Sequence, residues 1–391
     1  MSHTKYLIIG SSHAGLSAVD AIRLQDGEGP ITMVSGEKCL PYSPTVLPYV
    51  VSGEVDPDRI FLRDQEYFNK FKISFLNDSR LVRMDPDANM VTLESGDEIH
   101  YEKLLLATGA APELPPIPGL ENAPYHVLRT LEDAQRIRTA MENTQSAIIL
   151  GAGLIGMHAA ENLAKAGLQV TVVEMLPRVL PGYFDERAAG LIQRVFAQNG
   201  VKVLTGSAVT HVTTSNKACA LSLENGLDLS AHLLLVSTGV KPRMEYLAGS
   251  EVETDAGILV DDRMRTSVSN IWAAGDVAQA RSFFDSEKIL NGILPDAVEQ
   301  GRIAGMDIVA DPALNLYSGG IPMNTYSFFG HRATSVGMSV PPSTGEEFQV
   351  DFVFSPTSLR YQKLVFQNDN LVGVSAINAE LDPGVMWQII R

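Results

Sequence analysis

Short apolar runs alternate along this chain with stretches whose apolar residues recur at helical spacing, the order expected of an α/β fold. Lys5–Ile9 reads as a buried strand. A glycine-bearing turn follows, then an amphipathic helix to Arg23 and a second strand over Ile31–Val34. Leu104–Ala107 reads as a third buried strand, closed by Thr108-Gly109. Residues 111–119 hold four prolines and a glycine and read as a linker.

The pattern then restarts. Ser146–Leu150 is a strand, followed by a glycine turn, a helix to Ala166 and a strand over Gln169–Val173. Leu233–Val236 repeats the buried closing strand, ending in Ser237-Thr238-Gly239, and Lys241-Pro242 marks a second boundary. One strand–turn–helix–strand unit is thus inserted inside another. Beyond it lie Ile271–Asp276, a helix from about Pro295 to Val309, and alternating patterns over Gln349–Phe354 and Leu359–Phe366 that predict an antiparallel sheet.

Length, at 391 residues, suits two or three domains, and 45% hydrophobic residues supply a packed core. A net charge of −16 argues against nucleic acid, whose phosphates need cationic partners. Cys39 and Cys219 lie 180 positions apart and build neither a zinc site, an iron–sulfur site nor a CxxC pair. A reducing cytoplasm fits this usage. The start, MSHTKYLIIG, has no signal-peptide pattern, and no apolar run reaches the ~18 residues a membrane span needs. Whatever redox chemistry occurs here must therefore rest on a bound cofactor.

Two turns carry that expectation. Gly151-Ala-Gly153-Leu154-Ile155-Gly156 fits G-x-G-x-x-G between a strand and a helix. Gly151 permits the tight turn, Gly153 lets a pyrophosphate approach, and Gly156 lets helix and strand pack closely. The helix N-terminus attracts the phosphate charge. Glu174, 18 residues after Gly156, is placed for a ribose 2′-hydroxyl, which favours NAD over NADP; Arg178 four residues on weakens that preference. The other turn, Gly10-Ser-Ser12-His-Ala14-Gly15, has serine at its middle position. Ser35 ends its second strand, which leaves Glu37 as the ribose acid. His13 reads either as a turn histidine or as a phosphate or flavin neighbour. Two such turns imply two nucleotides, and a nicotinamide paired with a flavin allows hydride to pass between rings.

With these turns in order, the chain resembles the pyridine nucleotide–disulfide oxidoreductases over about residues 5–390. Leu106–Gly109 (LATG) and Val236–Gly239 (VSTG) resemble the family's domain-closing strands, and Leu128–Ala134 its entry to the NAD domain. Ile271–Val277 resembles its second flavin motif, and Pro295–Gly301 the stretch beneath the isoalloxazine. The resemblance implies an α/β, glutathione-reductase-like fold. Two Rossmann-like dinucleotide-binding domains would be joined by a C-terminal α+β interface domain. It places FAD in residues 1–115 and 245–319, NAD in 116–244, and the interface domain in 320–391. FAD would be held by Gly10, Ser12, Ala14, Gly15, Glu37, Val82, Ala107, Thr108, Gly109, Arg129, Gly275, Asp276 and Leu294. NAD(H) would be held by Gly151, Gly153, Leu154, Ile155, Gly156, Glu174 and Gly239.

Departures from the family bear on the chemistry. The redox CxxxxC is missing, and where relatives place one cysteine before a Leu-Pro-Tyr segment this chain has Thr45. A hydroxyl forms no mixed disulfide, so disulfide and persulfide chemistry is disfavoured. His158 stands where relatives commonly have glutamate; it reads as a tuning residue or as packing. No protein nucleophile is then obligatory, and no metal is expected. Pro41–Gly53 and Tyr317–Phe329 resemble flavin subunits of multi-component oxidoreductases. In such complexes thiamine-diphosphate and iron–sulfur subunits oxidise a 2-oxoacid. This chain would pass the electrons to NAD⁺ within a hetero-oligomer. A free-standing NADH-dependent ferredoxin, rubredoxin or nitrite reductase component stays open beside it, as does a flavin-bound redox-sensing scaffold. Phe283-Phe284 and Phe328-Phe329 read as interface anchors or as core.

Overall fold

The computed structural model describes residues 2–215, 218–341 and 348–391. Its backbone packing forms two compact units. One holds the residues up to Ser43 with Ile60–Ala111 and Lys241–Ile321; the other holds Pro44–Arg59, Pro112–Val240 and Pro322–Arg391.

In the first unit the strand Ser2–Ile9 lies between Ile31–Val34 and Glu98–Leu106, parallel to both, with Ile8 opposite Met33 and Leu105. Ile73–Leu76 extends the sheet in parallel beyond Ile31–Val34. Met90–Leu93 and Leu81–Asp85 continue it antiparallel on the other side, while Ile271–Ala273 pairs in parallel with Glu98–Leu106. Leu7, Ile8, Leu104, Leu105 and Leu106 are fully buried. That is why these strands read as continuous apolar runs: a parallel sheet is covered on both faces.

The second unit repeats the arrangement. Ser146–Leu150 lies between Gln169–Val173 and Leu233–Val236, again parallel to both. Lys202–Leu204 and Tyr125–His126 complete a five-stranded parallel sheet. The doubled pattern seen in sequence is thus a doubled topology. In each copy the strand entering the glycine turn is flanked by the next strand and by the strand ending in Thr-Gly. Chain order reverses there, which in open α/β sheets makes the ligand crevice.

This unit also carries a five-stranded antiparallel sheet, ordered Met323–Phe328, His331–Gly337, Asn370–Ile377, Arg360–Gln367, Gln349–Ser355. Phe328 is core, stacked on Tyr326 at 5.1 Å and Phe196 at 6.2 Å. The exposed aromatics sit instead on the edge strand, at Phe352 and Phe354. Among the described residues, no helix is long and apolar enough to cross a membrane.

Candidate functional site

Four of the five glycines of the two turns have a measurable steric reason. Gly10 has φ +118°, and a Cβ there would lie 2.0 Å from the Ala107 carbonyl oxygen. A Cβ on Gly15 would lie 2.0 Å from the oxygen of Gly10. Gly151, at φ +99°, backs onto the Ser237 oxygen at 2.4 Å, and Gly156 onto the Gly151 oxygen at 2.1 Å. Gly153 differs. Its φ is −75°, and a Cβ there would meet no atom within 4 Å among the described residues. Protein packing does not require glycine at this position; an approaching ligand would.

Helix ends give the same indication. The helices Gln65–Lys70, Leu131–Met141, Glu186–Gln198 and Pro383–Ile390 each begin with a side-chain cap, from Asp64, Thr130, Asp185 and Asp382. The helices His13–Gln25, Leu47–Ser52, Leu154–Lys165 and Leu294–Ile308 begin at Ser12, Val46, Gly153 and Ile293 with no side-chain cap. A helix start leaves backbone N–H groups in need of acceptors. Three of these four starts, all but that of Leu47–Ser52, are ones the sequence assigned to cofactors, and anionic or carbonyl oxygens suit them.

In the first unit, Ala14 is buried in the opening turn of its helix, between Gly275 and Gly301. A Cβ on Gly301 would lie 2.2 Å from the Ala14 oxygen, and one on Gly305 2.4 Å from that of Ala18. The helices His13–Gln25 and Leu294–Ile308 therefore touch backbone to backbone. Thr108 follows Ala107 beyond its strand, its hydroxyl 2.9 Å from the Tyr246 hydroxyl and donating to the Arg243 carbonyl at 3.1 Å. Gly109 follows with φ +68°. Gly275 and Asp276 open a 3₁₀ turn after Ile271–Ala273, and Leu294 starts its helix exposed. Glu37 accepts from the Tyr42 hydroxyl at 2.7 Å. Val82 is exposed at a bulge in Leu81–Asp85. His13 Nε2 lies 3.0 Å from the Ser43 hydroxyl; burial, then the Arg63 charge, hold its pKa below the usual value.

In the second unit, Glu174 is buried and already engaged. One carboxylate oxygen accepts from the Ala152 N–H at 2.7 Å, the other from the Leu176 N–H at 2.8 Å. It braces the glycine turn, and further lone pairs remain for a ribose. The Arg178 guanidinium donates to the Phe184 and Pro181 carbonyls of its own loop. Ser237, which the sequence reading passed over, donates to the Leu150 and Gly151 carbonyls at 3.0 and 3.2 Å and so fixes the turn. Leu154 and Ile155 form the first turn of the helix, with Ile155 exposed. Gly239 is exposed at φ +127°. Arg129 is half-buried and bonded through its backbone N–H to the Asp133 carboxylate.

His158 lies on the same helix, its ring 4.8 Å from that of Tyr326 and 6.2 Å from that of Tyr49. Its Nε2 is buried with no hydrogen-bond partner among the described residues. Burial lowers its pKa against the pull of Glu161, so the imidazole stays neutral. Tyr326 gave no signal in sequence, because 168 residues separate it from His158.

The thiols are poorly set for chemistry. Burial, with Glu37 nearby, pushes Cys39 up to about 11, so it stays protonated at neutral pH. Cys219 is fully buried, and burial raises its pKa too. Thr45 is exposed on a 3₁₀ turn over Pro44–Val46. Among the described residues, no group of three or more His, Cys, Asp or Glu is placed to hold a metal.

The family model of the pyridine nucleotide-disulphide oxidoreductases matches residues 4–301. The chain belongs to this family. It is 52% identical, over 100% of its own length and 92% of the relative's, to the NADH-dependent phenylglyoxylate dehydrogenase subunit epsilon of Aromatoleum evansii. It is 33% identical, over 77% of its length and 69% of the relative's, to an NADH oxidase of Methanocaldococcus jannaschii. Among solved structures it is similar to a NAD-dependent persulfide reductase from A. fulgidus. There the TM-score is 0.90 and the identity 28%, over 99% of this chain and 76% of that one. Its cofactors are accordingly FAD and NAD(H). The residues fit them: two glycine cradles, the open position at Gly153 and three uncapped helix starts. The protein is an NADH-linked flavoprotein oxidoreductase.

Proposed function

We propose that this chain is the flavin subunit of a cytoplasmic, NAD-dependent 2-oxoacid dehydrogenase complex. It takes electrons from an iron–sulfur partner and delivers them to NAD⁺. A thiamine-diphosphate partner oxidises the 2-oxoacid, phenylglyoxylate, to benzoyl-CoA. The observation that carries this reading is identity at more than half of all positions, end to end, with a phenylglyoxylate dehydrogenase subunit. The absence of a usable thiol agrees with it: Thr45 stands at the family's redox position and Cys39 stays protonated.

Bound FAD supplies exchange of a hydride with NAD(H) and of single electrons with the partner. The chain's residues position and tune. Gly10, Ser12, Ala14 and Gly15 hold the FAD diphosphate at the start of their helix, and Glu37 and Val82 line the adenosine end. Ala107, Thr108 and Gly109 would close the sheet beside it, Gly275 and Asp276 would take the ribityl and pyrophosphate region, and Leu294 would offer its backbone to the ring; Arg129 is the further residue that the family resemblance assigns to FAD. Gly151, Gly153, Leu154, Ile155 and Gly156 hold the NAD diphosphate, with Glu174 at the ribose and Gly239 at the sheet end. His158, kept neutral between two tyrosines, tunes the nicotinamide side without adding charge.

Affinity purification of the tagged chain from its native cells tests the assignment. The isolated assembly is expected to contain iron, acid-labile sulfide and thiamine diphosphate. It should form one NADH and one CO₂ for each phenylglyoxylate and CoA converted to benzoyl-CoA. A chain recovered as a homo-oligomer, reducing rubredoxin or ferredoxin but inert with phenylglyoxylate, contradicts the assignment.

A further inference from the structure

The helix Leu294–Ile308 carries a buried carboxylate to which the reading above gives no role. Asp296 lies in its first turn and is 1% exposed. Its Oδ2 accepts from Asn291 Nδ2 at 2.6 Å and from the Tyr317 hydroxyl at 3.0 Å. The Tyr317 oxygen accepts from Gln300 Nε2 at 3.3 Å, and Gln300 Oε1 accepts from the Gly275 N–H at 2.9 Å. Gln300 and Tyr317 are as buried as Asp296. The group is tightly closed: a Cβ on Gly320 would lie 2.6 Å from Asp296 Oδ2, 2.8 Å from Asn291 Nδ2 and 3.0 Å from the Tyr317 oxygen.

Elementary chemistry fixes the direction of this chain of bonds. The Gly275 amide can only donate, so Gln300 turns its carbonyl oxygen toward it and its NH₂ toward Tyr317. Tyr317 accepts there and gives its single proton to Asp296. The same Asp296 oxygen also takes a proton from Asn291. Two donors on one oxygen favour the carboxylate form, and the helix start adds its partial positive charge to that preference. The network thereby favours a buried negative charge in the first turn of this helix and ties the carboxyl group, through two side chains, to the Gly275–Asp276 turn. Asp296, Gly275 and Tyr317 belong to three separate stretches of sequence that the network locks together.

We propose that Asp296 is a positioning residue that retains FAD and lowers its midpoint potential. It fastens the Gly275–Asp276 turn to the start of the Leu294–Ile308 helix through Tyr317 and Gln300. Its fixed negative charge opposes electron addition at a neighbouring group. The proposal rests on the reading that this turn and helix hold FAD. Two substitutions separate charge from linkage. Asp296→Asn removes the charge while still offering an oxygen to Tyr317; Tyr317→Phe keeps the charge and cuts the link.

Spectroelectrochemical titration and FAD-release fluorescence are the readouts. Asp296→Asn is expected to raise the midpoint potential; Tyr317→Phe, which withdraws a donor from Asp296 Oδ2 and cuts the link, to lower it while weakening FAD binding about fivefold, the loss of one net buried hydrogen bond. Asn291→Ala, at the partly exposed rim, withdraws a donor from the same oxygen but leaves the link to Gly275 intact, and is expected to lower the potential with FAD affinity kept. It also serves as the test should Asp296→Asn not fold. Folded variants whose potential and FAD affinity match the parent, with thermal stability alone reduced, would overturn the proposal. A parent protein that binds no FAD would instead sink the functional reading itself.

Discussion

Replacing Gly153 with aspartate is expected to raise the KM for NADH about a hundredfold while leaving the melting temperature within about 2 °C and FAD in place. Gly153 has an ordinary φ and open space where its Cβ would be, so a side chain can start there without strain. On the proposed reading, a carboxylate there would face the NAD pyrophosphate. Juxtaposed like charges cost several kcal/mol, and a hundredfold is about 3 kcal/mol. Steady-state reduction of a dye by NADH, beside a thermal melt, reads both quantities. The split between affinity and stability is the point. Gly151 and Gly156 back onto carbonyl oxygens, so enlarging either would damage fold and binding together. An unchanged KM in Gly153→Asp would place NADH elsewhere.

Replacing Gly301 with valine should have the opposite profile. A Cβ at Gly301 would lie 2.2 Å from the Ala14 carbonyl oxygen, in the first turn of the helix that follows the FAD glycine turn. Backbone cannot swing aside as a flexible side chain can. The helices must separate, at a cost of about 3 kcal/mol or more. For a unit of this size that is a fall in melting temperature of roughly 10 °C. Parting the helices also moves Gly275, whose Cβ position lies 3.2 Å from that of Ala14. The variant is therefore expected to purify without flavin colour. A Gly301→Val protein that keeps one FAD per chain would show that this contact does not shape the flavin site.

How much of this was legible in the sequence depended on the range of the constraint. The two glycine turns were readable because their requirements are local: a positive φ and a carbonyl a few residues away or on the neighbouring strand. The flanking strands were readable because burial on both faces leaves continuous apolar runs. The region between Phe61 and Tyr101 was not assigned. Its strands, Ile73–Leu76, Leu81–Asp85 and Met90–Leu93, are short and partly exposed. Contacts between distant segments were equally silent. Gly301 against Ala14, Tyr326 against His158 and Tyr317 against Asp296 each join residues whose proximity only the fold creates. Glu174 was legible as an acid at the strand end, but its two amide partners, which make it part of the turn itself, were not.

The departure at Thr45 separates this chain's chemistry from that of thiol-using relatives, and one experiment weighs it directly. A family member with a redox-active disulfide stores two electrons on sulfur besides those on flavin, so its full reduction takes two NADH. Here nothing but FAD should store them. Anaerobic titration of the purified chain with NADH is expected to bleach the flavin completely at one NADH per FAD, with the same endpoint after Cys39→Ala and Cys219→Ala are combined. An endpoint of two NADH per FAD, or a double variant that NADH no longer reduces, would contradict the account.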